Sequence, residues 1–150
     1  MPLPGTGAVV AISSVEALRA SKFMPTYNVT KAALDTLVAC AARELGPLGI
    51  RVNGVRPGVV LTEAVRAQLT ESSLQAGLRQ SYLGRYGTPE DIAKAVAFLA
   101  SEDAAWVTGQ MLNVCGGLSV HDGANFEGLA RMVFGDKEID NVSAPKGHTG

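Results

Sequence analysis

An uninterrupted apolar run, Ala8-Val9-Val10-Ala11-Ile12, precedes a long amphipathic stretch and a second β-rich run, Ile50-Arg51-Val52-Asn53-Gly54-Val55. The first run is too short for a helix and does not alternate, which predicts a strand covered on both faces, as in the centre of a parallel sheet. Ser13 and Ser14 end it. After a loop from Val15 to Pro25, Val29, Ala33, Leu34, Leu37, Val38, Ala41 and Leu45 recur at helical spacing, and Gly46-Pro47 with Gly49 stops the helix. Strand, helix and strand in this order make a βαβ unit.

Downstream, a weaker helical pattern runs from Thr62 to about Arg79 and reads as a mobile flap. A Gly-containing turn at Gly84 to Gly87 interrupts it. Thr88-Pro89-Glu90-Asp91 combines a cap, a proline at the first helical position and two acids where the helix dipole favours them, so a helix is predicted from Pro89 to about Ser101. Gln110 to Cys115 is a last strand, ended by Gly116-Gly117. Residues 118–150 lose periodicity and read as an irregular tail, with the last ~15 residues disordered. With no internal repeat and no linker, the expectation is one α/β domain over residues 1–150, in the order β-α-β-α-α-β.

Composition removes several alternatives. Aromatic residues are only 5%, while Gly, Ala and Val abound, which suits helices packed closely on a sheet rather than a β-sandwich. Charged residues are 18% and the formal net charge is -1, which argues against nucleic acid as a partner. The apolar run from Gly7 to Ile12 is far shorter than a membrane span and follows no basic segment, so a soluble cytoplasmic protein with no membrane partner is expected. Cys40 and Cys115 are far apart and outside any zinc spacing, and both read as small buried hydrophobes. His121 and His148 read as solvated, no metal site is proposed, and Trp106 is expected to pack under the last strand.

Chemistry concentrates at one place. Tyr27 and Lys31 lie four apart on the first helix, so both project from one face, an ammonium one turn from a phenol. A phenol is a poor acid or base at neutral pH, and an adjacent cation favours its anion. Alone, the pair is a weak signal, since such spacings are common on solvated helix faces. Its context is stronger: Ser13 and Ser14 sit at the C-terminal end of a buried parallel strand, where ligands of open α/β sheets collect, and a hydroxyl there can polarise a carbonyl. Either serine could also simply satisfy loose backbone groups. Pro57-Gly58 ends the next strand at the same edge, with Thr62 shortly after, so a second loop reaches the same crevice.

Taken in order, these motifs resemble the short-chain dehydrogenase/reductase family. There, a strand ending in serine is followed thirteen positions on by the tyrosine of Tyr-x-x-x-Lys, the interval from Ser14 to Tyr27, so the resemblance selects Ser14. Lys31-Ala32-Ala33-Leu34, Arg43-Glu44-Leu45, Gly49 to Asn53 and Pro57-Gly58-Val59-Val60-Leu61-Thr62 look like the next landmarks. Gly87 to Ala93, Phe98 to Ser101, Val107 to Gln110 and Val114-Cys115-Gly116-Gly117 extend the likeness, which covers about Gly7 to Gly117. Cys115 stands where relatives commonly carry an aspartate.

The resemblance implies a partial Rossmann-like, doubly wound parallel sheet, namely the last three strands and flanking helices of such a domain. Family members begin with a glycine-rich turn that binds pyrophosphate at a helix N-terminus. No Gly-x-x-x-Gly-x-Gly segment precedes Ser14, so the expectation is a chain whose N-terminal cofactor half is missing, with an exposed sheet edge that invites pairing. Implied further are an NAD or NADP cofactor touching Tyr27, Lys31, Pro57, Gly58, Val60 and Thr62, a small-molecule carbonyl or alcohol substrate of the 3-oxoacyl, steroid or polyol kind, and a homo-oligomer, dimer or tetramer. Ser14 would hydrogen-bond the substrate oxygen, Tyr27 would exchange its proton, and Lys31 would contact the nicotinamide ribose and stabilise the tyrosinate. The competing reading is a truncated, non-catalytic fragment that acts only in oligomerisation, through the helix carrying Ala39, Ala42 and Leu45.

Overall fold

Parallel pairing of three strands organises the chain, seen in a computed structural model that describes residues 7–120 and 125–143. Strand β1 (Gly7–Ile12) leads through a 3-10 turn (Val15–Leu18) into helix α1 (Pro25–Leu45). A second 3-10 turn (Gly46–Leu48), capped by Gly49 at φ 77, returns the chain to β2 (Ile50–Pro57). Helices α2 (Glu63–Gln68), α3 (Glu71–Arg79) and α4 (Pro89–Ala100) follow, then a short 3-10 turn (Glu102–Ala104) and β3 (Met111–Val114). The sheet order is β1-β2-β3, and β2 pairs parallel with both neighbours. All three strands therefore present their C-terminal ends at one edge.

Alternate side chains of β2 divide the structure into layers. Val52 packs with Val38 and Ala42 of α1, supported by Ala11, Ala41, Leu45, Ile50 and Met111. Arg51 reaches α4 instead, where its guanidinium donates to the carbonyls of Leu99 (2.7 Å) and Ser101 (2.9 Å), groups that a helix C-terminus leaves without internal partners. Asn53 is wholly buried; its Nδ2 donates to Val107 O (2.7 Å) and its Oδ1 accepts from Gln110 N (3.0 Å), fixing the approach to β3. Helices on both faces of a parallel sheet make the doubly wound α/β arrangement expected from the motif order. At the start of α4, Thr88 and Asp91 form a reciprocal capping box behind Pro89.

Several sequence expectations require correction. β1 is not covered on both faces: Val9 and Ile12 are 48% and 46% exposed, because among the described residues β1 pairs only with β2 and is an edge strand. The single stretch expected between Thr62 and Arg79 is two helices, since Leu69 leaves helical geometry and Thr70 accepts from Ser73 N to restart the chain as a new N-cap. Trp106 is 100% exposed rather than packed under β3; the turn in which Val107 N donates to Ala104 O buries Ala104 in its place. Cys40 is exposed and Cys115 half-buried. Along α1, Val29 and Leu37 face outward while Val38 and Ala42 enter the core.

From His121 the chain forms a second unit, whose described part holds α5 (Glu127–Phe134) and α6 (Asp136–Ser143) within the tail expected to be irregular. Polar side chains tie these short helices together. Asn125 Oδ1 accepts from Glu127 N, and the Arg131 guanidinium joins Glu127 (2.7 Å), Asp136 (3.3 Å) and Asp140 (2.8 Å), carboxylates that hold it protonated above its ordinary range. The disorder expected for the last ~15 residues therefore does not apply to Asp136–Ser143, and the remainder of that stretch lies outside the described residues.

Candidate active site

At the C-terminal edge of β1 the backbone is pinned before any side chain acts. Ser13 N donates to Val55 O (2.8 Å), extending the β1–β2 ladder one residue beyond the strand, and both Ser13 and Ser14 are buried. Ser14 takes extended geometry, and its Oγ accepts from Glu16 N (3.2 Å), capping the 3-10 turn. Ser13 Oγ points to α1 and donates to Lys31 O (3.3 Å). The two serines thus divide the work: one ties the strand to the helix, the other shapes the turn.

Helix α1 begins at Pro25, whose missing N–H costs nothing at that position. Phe23, just before it, adopts φ 65. Tyr27 lies in the first turn with 39% of its surface exposed, and Lys31 follows one turn later. Lys31 Nζ stands 5.6 Å from the centre of the Tyr27 ring, within cation–π reach, and donates to Ile12 O (2.9 Å) at the end of β1. The spacing expectation is met: the ammonium and the aromatic ring share one face at the strand's end. The ties from Ile12 and Ser13 to Lys31 were not legible from spacing.

The second loop arrives from β2. Gly58 N donates to Val114 O (3.0 Å), and a Cβ on Gly58 would lie 2.8 Å from Cys115 Cα, so only glycine allows the ends of β2 and β3 to approach this closely. Val60 pairs with Gly87, and Leu61 N donates to Gly87 O (3.0 Å), holding this loop against the turn before α4. Thr62 is the N-cap of α2; its Oγ1 accepts from Val65 N (3.2 Å). Pro57, Gly58, Val60 and Thr62 therefore occupy the chain leaving β2, at the same sheet edge as Ser14.

Two further features line this edge. A cavity of about 210 Å³ lies between Gly58, Val59, Tyr86 and the Cys115-Gly116 turn. Burial pushes the Cys115 thiol up, but hydrogen bonds from Ser119 and from the backbone N–H groups of Ser119, Gly117 and Leu118 outweigh it and hold the thiol below its usual value. Asp35 and Arg56, one helical turn after Lys31 and one residue before Pro57, form an ion pair (2.7 Å) that sequence reasoning missed; the i+4 step from Lys31 to Asp35 was the available signal. Among the described residues no group of His, Cys, Asp and Glu could hold a metal, and no helix is long and apolar enough to cross a membrane. His121 and His148 lie outside the described residues.

Comparison with known proteins adds independent findings. A family model described as Enoyl-(Acyl carrier protein) reductase matches residues 1–119. An uncharacterised oxidoreductase of Methylorubrum extorquens is 48% identical over 117 residues, 75% of this chain and 46% of that protein. L-rhamnose 1-dehydrogenase (NAD(P)(+)) of a Sphingomonas species is 41% identical over 116 residues, 77% of this chain and 46% of the relative. The solved structure of 7α-hydroxysteroid dehydrogenase complexed with NADH and 7-oxo glycochenodeoxycholic acid superposes with a TM-score of 0.73 at 42% identity, covering 75% of this chain and 44% of that one. The chain thus spans somewhat under half the length of these relatives.

Proposed function

This chain belongs to the short-chain dehydrogenase/reductase family, and we propose that it serves hydride transfer between a nicotinamide cofactor, NAD or NADP, and the carbonyl or secondary-alcohol carbon of a small molecule. The observation that carries the reading is the placement of Lys31 Nζ 5.6 Å from the Tyr27 ring, beside the serine-capped end of β1. The relatives' names, a sugar dehydrogenase and a steroid dehydrogenase, favour a hydroxylated or oxo carbon on a ring as the reacting centre.

The donors present fit a nicotinamide nucleoside. Lys31 carries three N–H donors and spends one on Ile12 O, which leaves donors for ribose hydroxyls, while Pro57, Gly58, Val60 and Thr62 offer the loop on the other side. The bound cofactor supplies or accepts the hydride. The protein's own residues handle the proton. Ser14 Oγ, held buried at the turn, donates to the substrate oxygen and fixes its position. Tyr27 Oη gives its proton to that oxygen on reduction and removes it on oxidation. Lys31, anchored to Ile12 O, keeps a positive charge beside the phenol, where it stabilises the tyrosinate by Coulomb attraction.

Steady-state turnover of a panel of ring ketones and alcohols with NADH and NADPH tests the reading. Loss of general acid–base catalysis in Tyr27→Phe is expected to lower kcat by about 10²–10⁴-fold without unfolding the protein. A Tyr27→Phe variant that retains most of the wild-type kcat overturns the role.

A further inference from the structure

Resting on that reading, we infer that Asp35 and Arg56 are positioning residues that hold the Tyr27–Lys31 turn of α1 in place against the Pro57-Gly58 loop. The reason lies in where α1 is buried. Its fully buried side chains are Val38 and Ala42, and no residue of the helix before Val38 is buried; Val29 points outward. Burial is therefore deepest in the second half of α1, while the turn bearing Tyr27 and Lys31 packs on the 3-10 turn Val15–Leu18 and carries no fully buried side chain of its own.

Polar ties add to that contact. Arg56 Nε donates to Asp35 Oδ2 at 2.7 Å, and the two side chains are only 16% and 12% exposed. Asp35 lies one turn after Lys31 on the same helix face, and Arg56 directly precedes Pro57, so this one contact joins the two elements that must meet a shared ligand. Arg56 Nη1 also donates to Asn113 Oδ1 (3.3 Å), and Asn113 Nδ2 donates to Ser119 Oγ (3.1 Å), so the guanidinium is itself braced from β3. On the β1 side, Ser13 Oγ and Ile12 O hold Lys31. Asp35 Oδ1 is buried with no hydrogen-bond partner among the described residues, so the carboxylate depends on Arg56 for compensation. A half-satisfied buried pair adds little to stability for its cost, but it does define one geometry. Misplacing a reacting group by about 1 Å can cost a hundredfold in rate.

The test is a cycle of Asp35→Asn, Arg56→Gln and the double variant, read by kinetics and by hydrogen exchange. Each single variant leaves one buried charge alone and is expected to lower kcat by about tenfold or more, with KM for the carbonyl changed less than about twofold. The double variant places two amides that can hydrogen-bond to each other, and is expected to recover kcat to within about threefold of wild type. Folded single variants with unchanged kcat, or a double variant no faster than the singles, overturn the inference. Hydrogen exchange separates this from failure of the functional reading: even in a protein that turns over no carbonyl, the singles should speed exchange at residues 31–35 and 56–60 while α4 stays protected. Uniform acceleration along the chain, or none, would count against the positioning role.

Discussion

Replacing Gly58 with alanine tests the claim that the sheet edge at the candidate site depends on unusually close approach of β2 and β3. The added Cβ would lie 2.8 Å from Cys115 Cα and 2.9 Å from both Cys115 Cβ and O. Carbon atoms prefer about 3.5–4.0 Å, so the strand ends must separate by about 0.7 Å or more. What blocks the methyl is largely backbone, which cannot swing away as the tip of a long side chain would. Separation also strains the hydrogen bond from Gly58 N to Val114 O, now 3.0 Å. Overpacking of this kind costs about 1–3 kcal/mol. For a chain of this size that is a fall in Tm of about 2–12 °C, measured by far-ultraviolet circular dichroism on heating. Gly128→Ala is the matched control: nothing lies within 4 Å of its Cβ position, it lies within helix α5, and Leu129, not a proline, follows it. It should melt with wild type or slightly above it. A Gly58→Ala protein melting within about 1 °C of wild type would refute the reasoning.

Two other substitutions probe the scaffold. Asn53→Leu leaves Val107 O and Gln110 N without their buried partner and should cost about 2–4 kcal/mol in urea unfolding; a loss below about 1 kcal/mol would mean that neither bond matters. Asp91 is held well below the usual carboxylate value of 3.8, chiefly by the hydrogen bond from Arg85 and then by Thr88 N–H, so its contribution to stability is present above that value and is lost as pH falls. The Tm difference between wild type and Asp91→Asn should therefore be full at neutral pH and shrink below pH 3.8; a difference that widens in acid contradicts the capping-box account.

Much of the scaffold was legible because its signals are local. Pro89 behind Thr88 marks the start of α4, Gly46-Pro47 ends α1, and the four-residue step between Tyr27 and Lys31 puts both on one face whatever surrounds them. Burial was less legible, since it depends on neighbours that a pattern does not name. Val9 and Ile12 look like core residues in sequence yet lie on an edge strand, and Trp106 is outside because the preceding turn buries Ala104. Polar long-range ties were hidden for the same reason. The four-residue step from Lys31 to Asp35 puts both on one helix face, but spacing alone does not say that Asp35 meets Arg56 or that Ser13 meets Lys31; the βαβ crossover, which lays α1 on β2, brings them together. Helices α5 and α6 escaped notice because each spans only eight residues, too short for apolar periodicity to stand out in a Gly- and Asp-rich tail.

The most direct measurement follows a label. The protein is given a ring ketone and nicotinamide cofactor deuterated at the transferring carbon, and the alcohol is analysed by mass spectrometry, alongside Tyr27→Phe. Wild-type protein should place one deuterium on the carbinol carbon, and the variant should form almost none in the same time. Alcohol that carries no deuterium, or equal labelling by both proteins, would contradict hydride transfer assisted by Tyr27.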